Sequence, residues 1–270
     1  MKIYRTMLYL IIAISMMYAL PGYATTWEEE TGPYPTTVVS DTGPDKQFYI
    51  YRPQTLRSNT HPLAVFCVGT GSHPRNSAGL LANLASHGVV VIAGTNGYQS
   101  DGAQASAGVN WLVGQNEIKE SEYYKKLIPA RILAIGHSSG AGGAVWASIK
   151  TSKITCLLLY APVLDTAKSS DISVPTFFIS GSLDTTVPPH LVKASYQEAT
   201  KANAWYGESV NQRHVGFAIN KSIQYYTRAW LHTHLFNDSG TARGCFYGPN
   251  WTFKNASDWN EKLKNNDALQ

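Results

Sequence analysis

Six short apolar runs recur along the chain, with amphipathic stretches between most of them, and this alternation constrains the fold more than any other feature. Several runs are apolar at successive positions, as in central strands that helices cover on both faces. The runs cover residues 47–53, 63–69, 88–94, 131–137, 154–162 and 175–181. This pattern predicts an α/β fold with a mostly parallel, doubly wound central sheet flanked by helices.

The amphipathic stretches supply the predicted helices of this sheet. They cover residues 77–86, 104–111, 140–149, 189–202 and 217–236. The segment TTVVS (36–40) joins the first apolar run without a helix, so these two strands are predicted to pair antiparallel. No insertion is long enough to form a lid domain, which predicts an open site.

The first 24 residues have the features of a secretory signal peptide. A basic start precedes a nearly all-apolar run at 7–20, and Gly22 and Ala24 place small residues where a signal peptidase reads them. We predict cleavage after Ala24 and a secreted or periplasmic protein. The alternative is an uncleaved membrane anchor, for which the apolar run is short.

The remaining residues, 25–270, contain neither repeats nor a linker and are predicted to form a single domain. The formal net charge falls from +4 to +2 when Lys2 and Arg5 leave with the signal peptide. This weak charge has no basic block, so nucleic acid is not a predicted partner. Stable membrane insertion is not predicted either, and we expect a monomer.

Three cysteines occur in the chain, which leaves at least one thiol free. Cys67 and Cys156 lie in apolar runs and are predicted to be buried and unreactive. The cysteine spacing contains no metal-binding motif. Nothing in the sequence implies a metal, nucleotide or flavin cofactor.

The segment Gly136-His137-Ser138-Ser139-Gly140 matches G-x-S-x-G between a predicted strand and a predicted helix. In this context the pattern is typical of a nucleophile elbow, a turn so sharp that its flanking positions need glycine. The turn would raise the Ser138 hydroxyl above the sheet at a helix N-terminus, where backbone N–H groups favour negative charge. The alternative is a tight turn with a capping serine.

A nucleophilic serine needs a base and an orienting acid, which follow in the order acid, then histidine, in such a fold. Asp184 follows the strand predicted at 175–181 and is the candidate acid. Asp165 and Asp171 are the alternatives, and any of the three could instead be a loop or capping aspartate.

His214 lies in a loop just before the last predicted helix and is the candidate base. His190 lies too near Asp184 and begins a helix. His232 and His234 lie inside the last helix, where a surface role is expected, and their i, i+2 spacing places them on different faces.

The oxyanion hole needs two backbone N–H donors. The N–H of Ser139, which follows the nucleophile, is one candidate. The other lies in the loop after the strand at 63–69, where Thr70 is the candidate. The alternative for that loop is a simple glycine turn.

Taken together, these stretches resemble the bacterial polyester hydrolases and cutinase-like lipases, the group that includes the poly(ethylene terephthalate) hydrolases. The resemblance rests on GPYPT (32–36), LASHGVVVIAGTN (84–96), ARILAIGHSSGAGGAV (130–145), VPTFFISGSLDTTVPP (174–189), RHVGF (213–217) and the segment 228–250. It implies an α/β-hydrolase fold with Ser138, Asp184 and His214 as the catalytic triad. It also implies that Thr70 and Ser139 form the oxyanion hole.

Three positions depart from this family. Its members usually have Tyr where Thr70 stands, Met where Ser139 stands, and a substrate-stacking Trp where the sequence has Val163. The platform for a flat aromatic unit is therefore weakened, since ring stacking contributes about 0.5–1.5 kcal/mol beyond burial. Nearby aromatic residues that could compensate are Tyr98, Trp111 and His137, of which His137 is a further candidate for substrate contact.

The C-terminal disulfide of the family is also incomplete in this sequence. Cys245 matches one partner, and no later cysteine exists.

These features predict a secreted serine carboxylic-ester hydrolase that cleaves short acyl esters, and polyesters as well, through an acyl-enzyme. One alternative is a lipase or esterase for a small-molecule or carbohydrate acyl ester, without polymer activity. Fold and triad do not choose the acyl group. Another alternative is an exported binding protein that kept the fold and lost the chemistry.

Overall fold

The computed structural model describes residues 27–164 and 169–265. The predicted signal peptide, its cleavage after Ala24 and the alternative acid Asp165 lie outside the described residues.

One mixed sheet carries the nine strands of the described residues, in the spatial order β1-β2-β4-β3-β5-β6-β7-β8-β9. The strands are β1 (Thr36–Thr42), β2 (Phe48–Pro53), β3 (His61–Cys67), β4 (Val90–Gly94), β5 (Leu127–His137), β6 (Cys156–Tyr160), β7 (Thr176–Gly181), β8 (Ala204–Ser209) and β9 (Trp259–Lys264). The strands from β4 to β8 in this order pair parallel. The other pairings are antiparallel, including the predicted pairing of β1 with β2. The predicted mostly parallel sheet is confirmed.

Helices cover both faces of the sheet. They are α1 (Ala78–Ser86), α2 (Ala103–Gln115), α3 (Ser139–Thr151), α4 (Pro189–Glu198), α5 (Lys221–Leu235) and α6 (Thr241–Gly244). Both α3 and α5 contact β5, and α2 packs against α3. His87, just after α1, contacts His232 of α5. Helices α2 and α3 thus lie on one face, and α1 and α5 lie on the other.

Burial explains why the central strands read as continuous apolar runs. All residues of β3, β6 and β7 are buried. The edge strand β1 instead alternates between exposed and half-buried positions. A strand that is covered on both faces needs apolar side chains at every position, whereas an edge strand does not.

The sequence did not predict the last two strands. The β8 segment AWYGES is short and contains a glycine, and the β9 segment WNEKLK is polar because it forms the far edge of the sheet. The helix predicted at 189–202 ends at Glu198, since the chain must turn into β8. The helix predicted at 217–236 begins as a 3₁₀ turn at 217–219, followed by α5.

Cys67, Cys156 and Cys245 are all buried free thiols, as predicted for the first two. Burial raises the pKa of the Cys67 thiol to about 12, which keeps it protonated and unreactive. Within the part of the chain that the structure describes, no helix is long and apolar enough to cross a bilayer.

Candidate active site

Ser138 occupies a strained turn between β5 and α3. Its backbone angles are φ 54° and ψ −128°, a region that side-chain-bearing residues rarely adopt. Neighbouring backbone holds it there. The Ser138 N–H donates to the Tyr160 carbonyl at 2.9 Å, and the Ser138 carbonyl accepts from the Val163 N–H at 3.0 Å. The last residue of β6 and a residue just after it thus hold both the N–H and the carbonyl group of Ser138.

The glycines of the G-x-S-x-G motif have a steric reason. A Cβ atom on Gly136 would overlap the backbone of Ala141, and one on Gly140 would overlap the Cys67 carbonyl. The turn can therefore close against β3 and the first turn of α3 only when both positions lack a side chain.

A continuous chain of hydrogen bonds links the three residues predicted as a triad. His214 Nε2 lies 3.0 Å from Ser138 Oγ, and His214 Nδ1 lies 2.8 Å from Asp184 Oδ2. These three side chains come from the β5–α3, β7–α4 and β8–α5 connections, at the carboxyl ends of parallel strands. Ligands bind at this edge in open α/β sheets.

Asp184 is buried, and both of its carboxyl oxygens have hydrogen-bond partners. Its side chain is 0% exposed, and its Oδ1 accepts hydrogen bonds from the N–H groups of Thr186 at 2.9 Å and Val187 at 2.8 Å. Two backbone donors at one oxygen and the His214 ring at the other satisfy the carboxylate. This arrangement orients the imidazole so that Nδ1 carries the proton and Nε2 faces the serine.

Gln212 braces the loop that carries His214, and no pattern in the sequence predicts this role. The side chain is buried, and its Nε2 donates to the carbonyls of Arg213 at 2.6 Å and Val215 at 2.9 Å. Its Oε1 accepts from Asn220 Nδ2 at 3.1 Å. A polar residue in a loop next to a histidine is common, so only the folded structure identifies this role.

His137 is hydrogen-bonded to the loop that carries His214, which we call the base loop. Its Nε2 donates to the His214 carbonyl at 2.7 Å, and its ring lies 5.0 Å from the His214 ring and 5.8 Å from that of Phe217. Burial lowers the pKa of His137, which favours the neutral ring. Its contact with substrate stays a prediction.

A cavity of about 250 Å³ lies beside His137. Its inner wall is mostly apolar, and Val215 and Ile219 of the base loop form an exposed part of its lining. The lining includes Phe66, Ser72, Asn76, Leu80, Tyr160 and Phe217. An apolar group of a bound ligand can therefore be accommodated next to the base loop.

The two residues predicted at the oxyanion hole meet each other. Thr70 Oγ1 and Ser139 Oγ lie 2.7 Å apart. A Cβ atom on Gly69 would lie 3.1 Å from Ser138 Cβ, so the backbone leading into Thr70 passes close to the serine. Thr70 is exposed and Ser139 is half-buried, so a ligand can reach both side chains. Their N–H roles stay predictions.

Val163 lies directly at the serine turn, since its N–H binds the Ser138 carbonyl. Its side chain packs partly against the core, and its contact with substrate stays a prediction. Of the aromatic residues considered as substitutes for a stacking ring, Trp111 lies in α2 and packs edge-to-face against Tyr123. Tyr98 is 74% exposed in a loop whose Gly97 carbonyl binds the Gly71 N–H, close to Thr70.

The other candidate acids and bases that the structure describes lie elsewhere. Asp171 pairs with Lys201 at 3.3 Å, and His190 is exposed at the start of α4. The expected surface role for His232 and His234 is wrong. His232 lies 3.2 Å from the His87 ring nitrogen, and the His234 ring stacks 4.1 Å from Trp230. Both are largely covered because α5 packs on the sheet.

A mostly parallel sheet and a serine at a sharp strand-to-helix turn, linked through a histidine to a buried aspartate, define a serine hydrolase of the α/β-hydrolase class. The family model described as PET hydrolase-like matches residues 26–263, and the chain belongs to this family. It is a serine ester hydrolase, and the fold expected from the resemblance is confirmed.

Several curated relatives are cutinases that share 26% identity with this chain in an alignment of 208 residues, and the alignment covers 74% of this chain. The match covers 69% of Cutinase est1 of Thermobifida alba and 78% of Cutinase 2 of Thermobifida cellulosilytica. It covers 64% of Cutinase cut1 of Thermobifida fusca.

Proposed function

We propose that the protein is an exported cutinase-like enzyme that hydrolyses carboxylic esters through an acyl-enzyme on Ser138. The observation that carries this proposal is the hydrogen-bonded chain from Asp184 through His214 to Ser138. A serine hydroxyl is a weak nucleophile unless a base accepts its proton. His214 Nε2, 3.0 Å from Ser138 Oγ, is within reach to act as that base.

In the acylation half, Ser138 Oγ attacks the ester carbonyl carbon while His214 Nε2 takes the hydroxyl proton. The negative charge on the carbonyl oxygen is stabilised by the N–H groups of Thr70 and Ser139. The bond to the alcohol oxygen then breaks, and the proton passes from His214 to the leaving alcohol. Asp184 stabilises the charged imidazole during these transfers without taking its proton.

In the deacylation half, His214 takes a proton from water, and the resulting hydroxide attacks the acyl carbon. The bond to Ser138 Oγ breaks, and the proton returns from His214 to the serine. The free acid leaves and the site is restored. The two halves together consume one ester and one water and release one acid and one alcohol.

Short acyl esters and aliphatic polyesters are the proposed substrates. The relatives are named cutinases, and the His214 side chain of the triad is 18% exposed. The exposed side chains of Val215 and Ile219, 71% and 80% accessible, offer apolar contact to a lipid or polymer surface. Small side chains at Thr70, Ser139 and Val163 favour a second reading, an esterase restricted to small substrates.

The Ser138→Ala variant tests the proposal. The purified mature protein is assayed on p-nitrophenyl esters from acetate to palmitate and on an aliphatic polyester film. We expect the variant to lose kcat by at least about 10⁴-fold, as nucleophile removal does in serine hydrolases. A fluorophosphonate probe should label the wild type and not the variant.

The outcomes separate the alternatives. Full hydrolysis by Ser138→Ala would contradict the proposal, and an unlabelled, inactive wild type would indicate a binding protein. Serine-dependent turnover that includes the film would support a polyesterase. Turnover of short esters alone would support the small-substrate esterase.

A further inference from the structure

The hydroxyl groups of Thr70 and Ser139 form a polar pair at the position where an acyl group must lie. We infer that this pair selects esters whose acyl part carries an oxygen acceptor on the carbon α or β to the carbonyl, such as hydroxyacyl, alkoxyacyl and poly(hydroxy acid) esters. This inference rests on the proposed function and names its substrate class.

The first step concerns the hydrogen-bonding capacity of the pair. Thr70 Oγ1 and Ser139 Oγ lie 2.7 Å apart, so one hydroxyl donates to the other. Each hydroxyl has one O–H and two acceptor lone pairs. One O–H of the pair therefore remains free, and the exposure of Thr70 leaves it open to a ligand.

The second step concerns the direction of the substrate. The leaving alcohol must face His214, because that residue gives it a proton. The carbonyl oxygen must point at the N–H groups of Thr70 and Ser139. The acyl carbons therefore leave the reaction centre on the side away from His214, alongside the side chains of the same two residues.

The third step concerns distance. Ser139 adjoins the nucleophile in the chain, and Thr70 adjoins Gly69, whose backbone lies against Ser138. A Cβ on Gly69 would lie 3.1 Å from Ser138 Cβ. Side chains of residues placed next to the nucleophile in this way reach only the first one or two acyl carbons. An oxygen on one of these carbons accepts a hydrogen bond from the free O–H of the pair. A methylene at the same place leaves this O–H without a partner in a site that the substrate shields from water, and this costs binding free energy.

The experiment compares isosteric substrate pairs. p-Nitrophenyl 3-hydroxybutyrate is matched with 3-methylbutyrate, and 3-methoxybutyrate with 3-methylpentanoate. Each kcat/KM is divided by the rate of hydroxide hydrolysis of that ester, which removes the intrinsic effect of the oxygen. We expect the wild type to prefer the oxygen-bearing ester by at least about fivefold, the value of one neutral hydrogen bond.

Variants assign the preference to the pair. Thr70→Val and Ser139→Ala remove one hydroxyl each at nearly constant shape, and their combination should bring the normalised ratio close to one. Thr70→Ser keeps a hydroxyl and should keep the ratio. The ratio is the readout because these substitutions can also change the overall rate.

A wild-type ratio near one would overturn the inference, and this result needs no variant to fold. A preference that survives the double substitution would also overturn it, since the two hydroxyls would then not be its cause. Serine-dependent hydrolysis without preference leaves the proposed function intact. Hydrolysis that persists in Ser138→Ala would remove the proposed function itself.

Discussion

At the scale of single residues, Gln212 shows how a site depends on a side chain that never meets substrate. Its amide holds the carbonyls on both sides of His214, and its own carbonyl is held by Asn220. Because Gln212 is buried, water does not replace these bonds easily. The position of His214 relative to Ser138 thus depends on this amide.

We expect Gln212→Met, which keeps the length and removes the amide, to lower kcat by about tenfold with little change in KM, because a misplaced base slows chemistry more than binding. The measurement is steady-state kinetics on p-nitrophenyl butyrate. Arg213→Ala is the control, since it removes an exposed neighbouring side chain and keeps its carbonyl. Equal kcat values for Gln212→Met and wild type would contradict this role.

The residues brought together at the site differ in how far the sequence reveals them. Ser138, Asp184 and His214 follow a fixed order on strand-exit loops, so local pattern and chain order predicted all three. Gln212 and the 2.7 Å contact between Thr70 and Ser139 depend on which loops meet in space. No periodicity or motif encodes that meeting, so neither could be predicted.

At the scale of elements, aromatic ring contacts hold the C-terminal segment, residues 246–259, against the rest of the fold. Phe253, between α6 and β9, has ring contacts with Phe177 at 5.3 Å, Tyr226 at 4.5 Å and Trp259 at 4.9 Å. Trp205 Nε1 also donates to the Phe246 carbonyl at 2.9 Å. These contacts hold the segment in a chain in which all three cysteines are free thiols.

We expect Phe253→Ala to lower the free energy of unfolding by about 3–5 kcal/mol, because it removes a fully buried ring. Urea unfolding followed by tryptophan fluorescence measures the change, and Phe253→Leu should lose less. If either variant unfolds without a loss of stability, the packing account is wrong.

Because all three cysteines are free thiols, we expect the stability of the protein not to depend on a thiol reductant. With no disulfide to break, the wild-type urea midpoint should be equal with and without a thiol reductant. A lower midpoint in reductant would indicate a covalent link and would contradict the free thiols.

Strand prediction failed in this region for a physical reason. Central strands such as β6 are apolar at every position because both faces are covered, and the sequence predicted them. β9 is an edge strand with polar side chains, and β8 contains Gly207, where a Cβ would crowd Trp259 and Phe253. Their strand character comes from pairing with each other and with β7, which local sequence does not show.

At the scale of the whole molecule, three histidines on the face covered by α1 and α5 make stability depend on pH. Burial lowers the pKa of His87 and of His234 to about 3 and that of His232 to about 4. The positive charge of Arg228 acts in the same direction on His87 and His232, and that of Arg243 on His234. All three are neutral in the folded protein at pH 5–7.

In the unfolded chain the same histidines titrate near pH 6.5. From about pH 6.5 down to the folded pKa, which is about 4 for His232 and about 3 for His87 and His234, the unfolded state therefore binds protons that the folded state does not. Stability is full above this window and falls as the pH decreases through it, by up to about 1.4 kcal/mol per pH unit for each histidine.

His234→Phe isolates one of these three contributions. The His234 ring stacks on Trp230, and its Nε2 has no hydrogen-bond partner among the described residues, so a phenyl ring suits the same position. We expect the free energy of unfolding in urea to fall less steeply between pH 6.5 and pH 5 in the variant than in the wild type. The difference in slope should approach about 1.4 kcal/mol per pH unit, the value for one proton. Parallel pH profiles for the two proteins would show that His234 binds its proton equally well in the folded and the unfolded state. Such a result would contradict the lowered pKa of His234 in the folded protein.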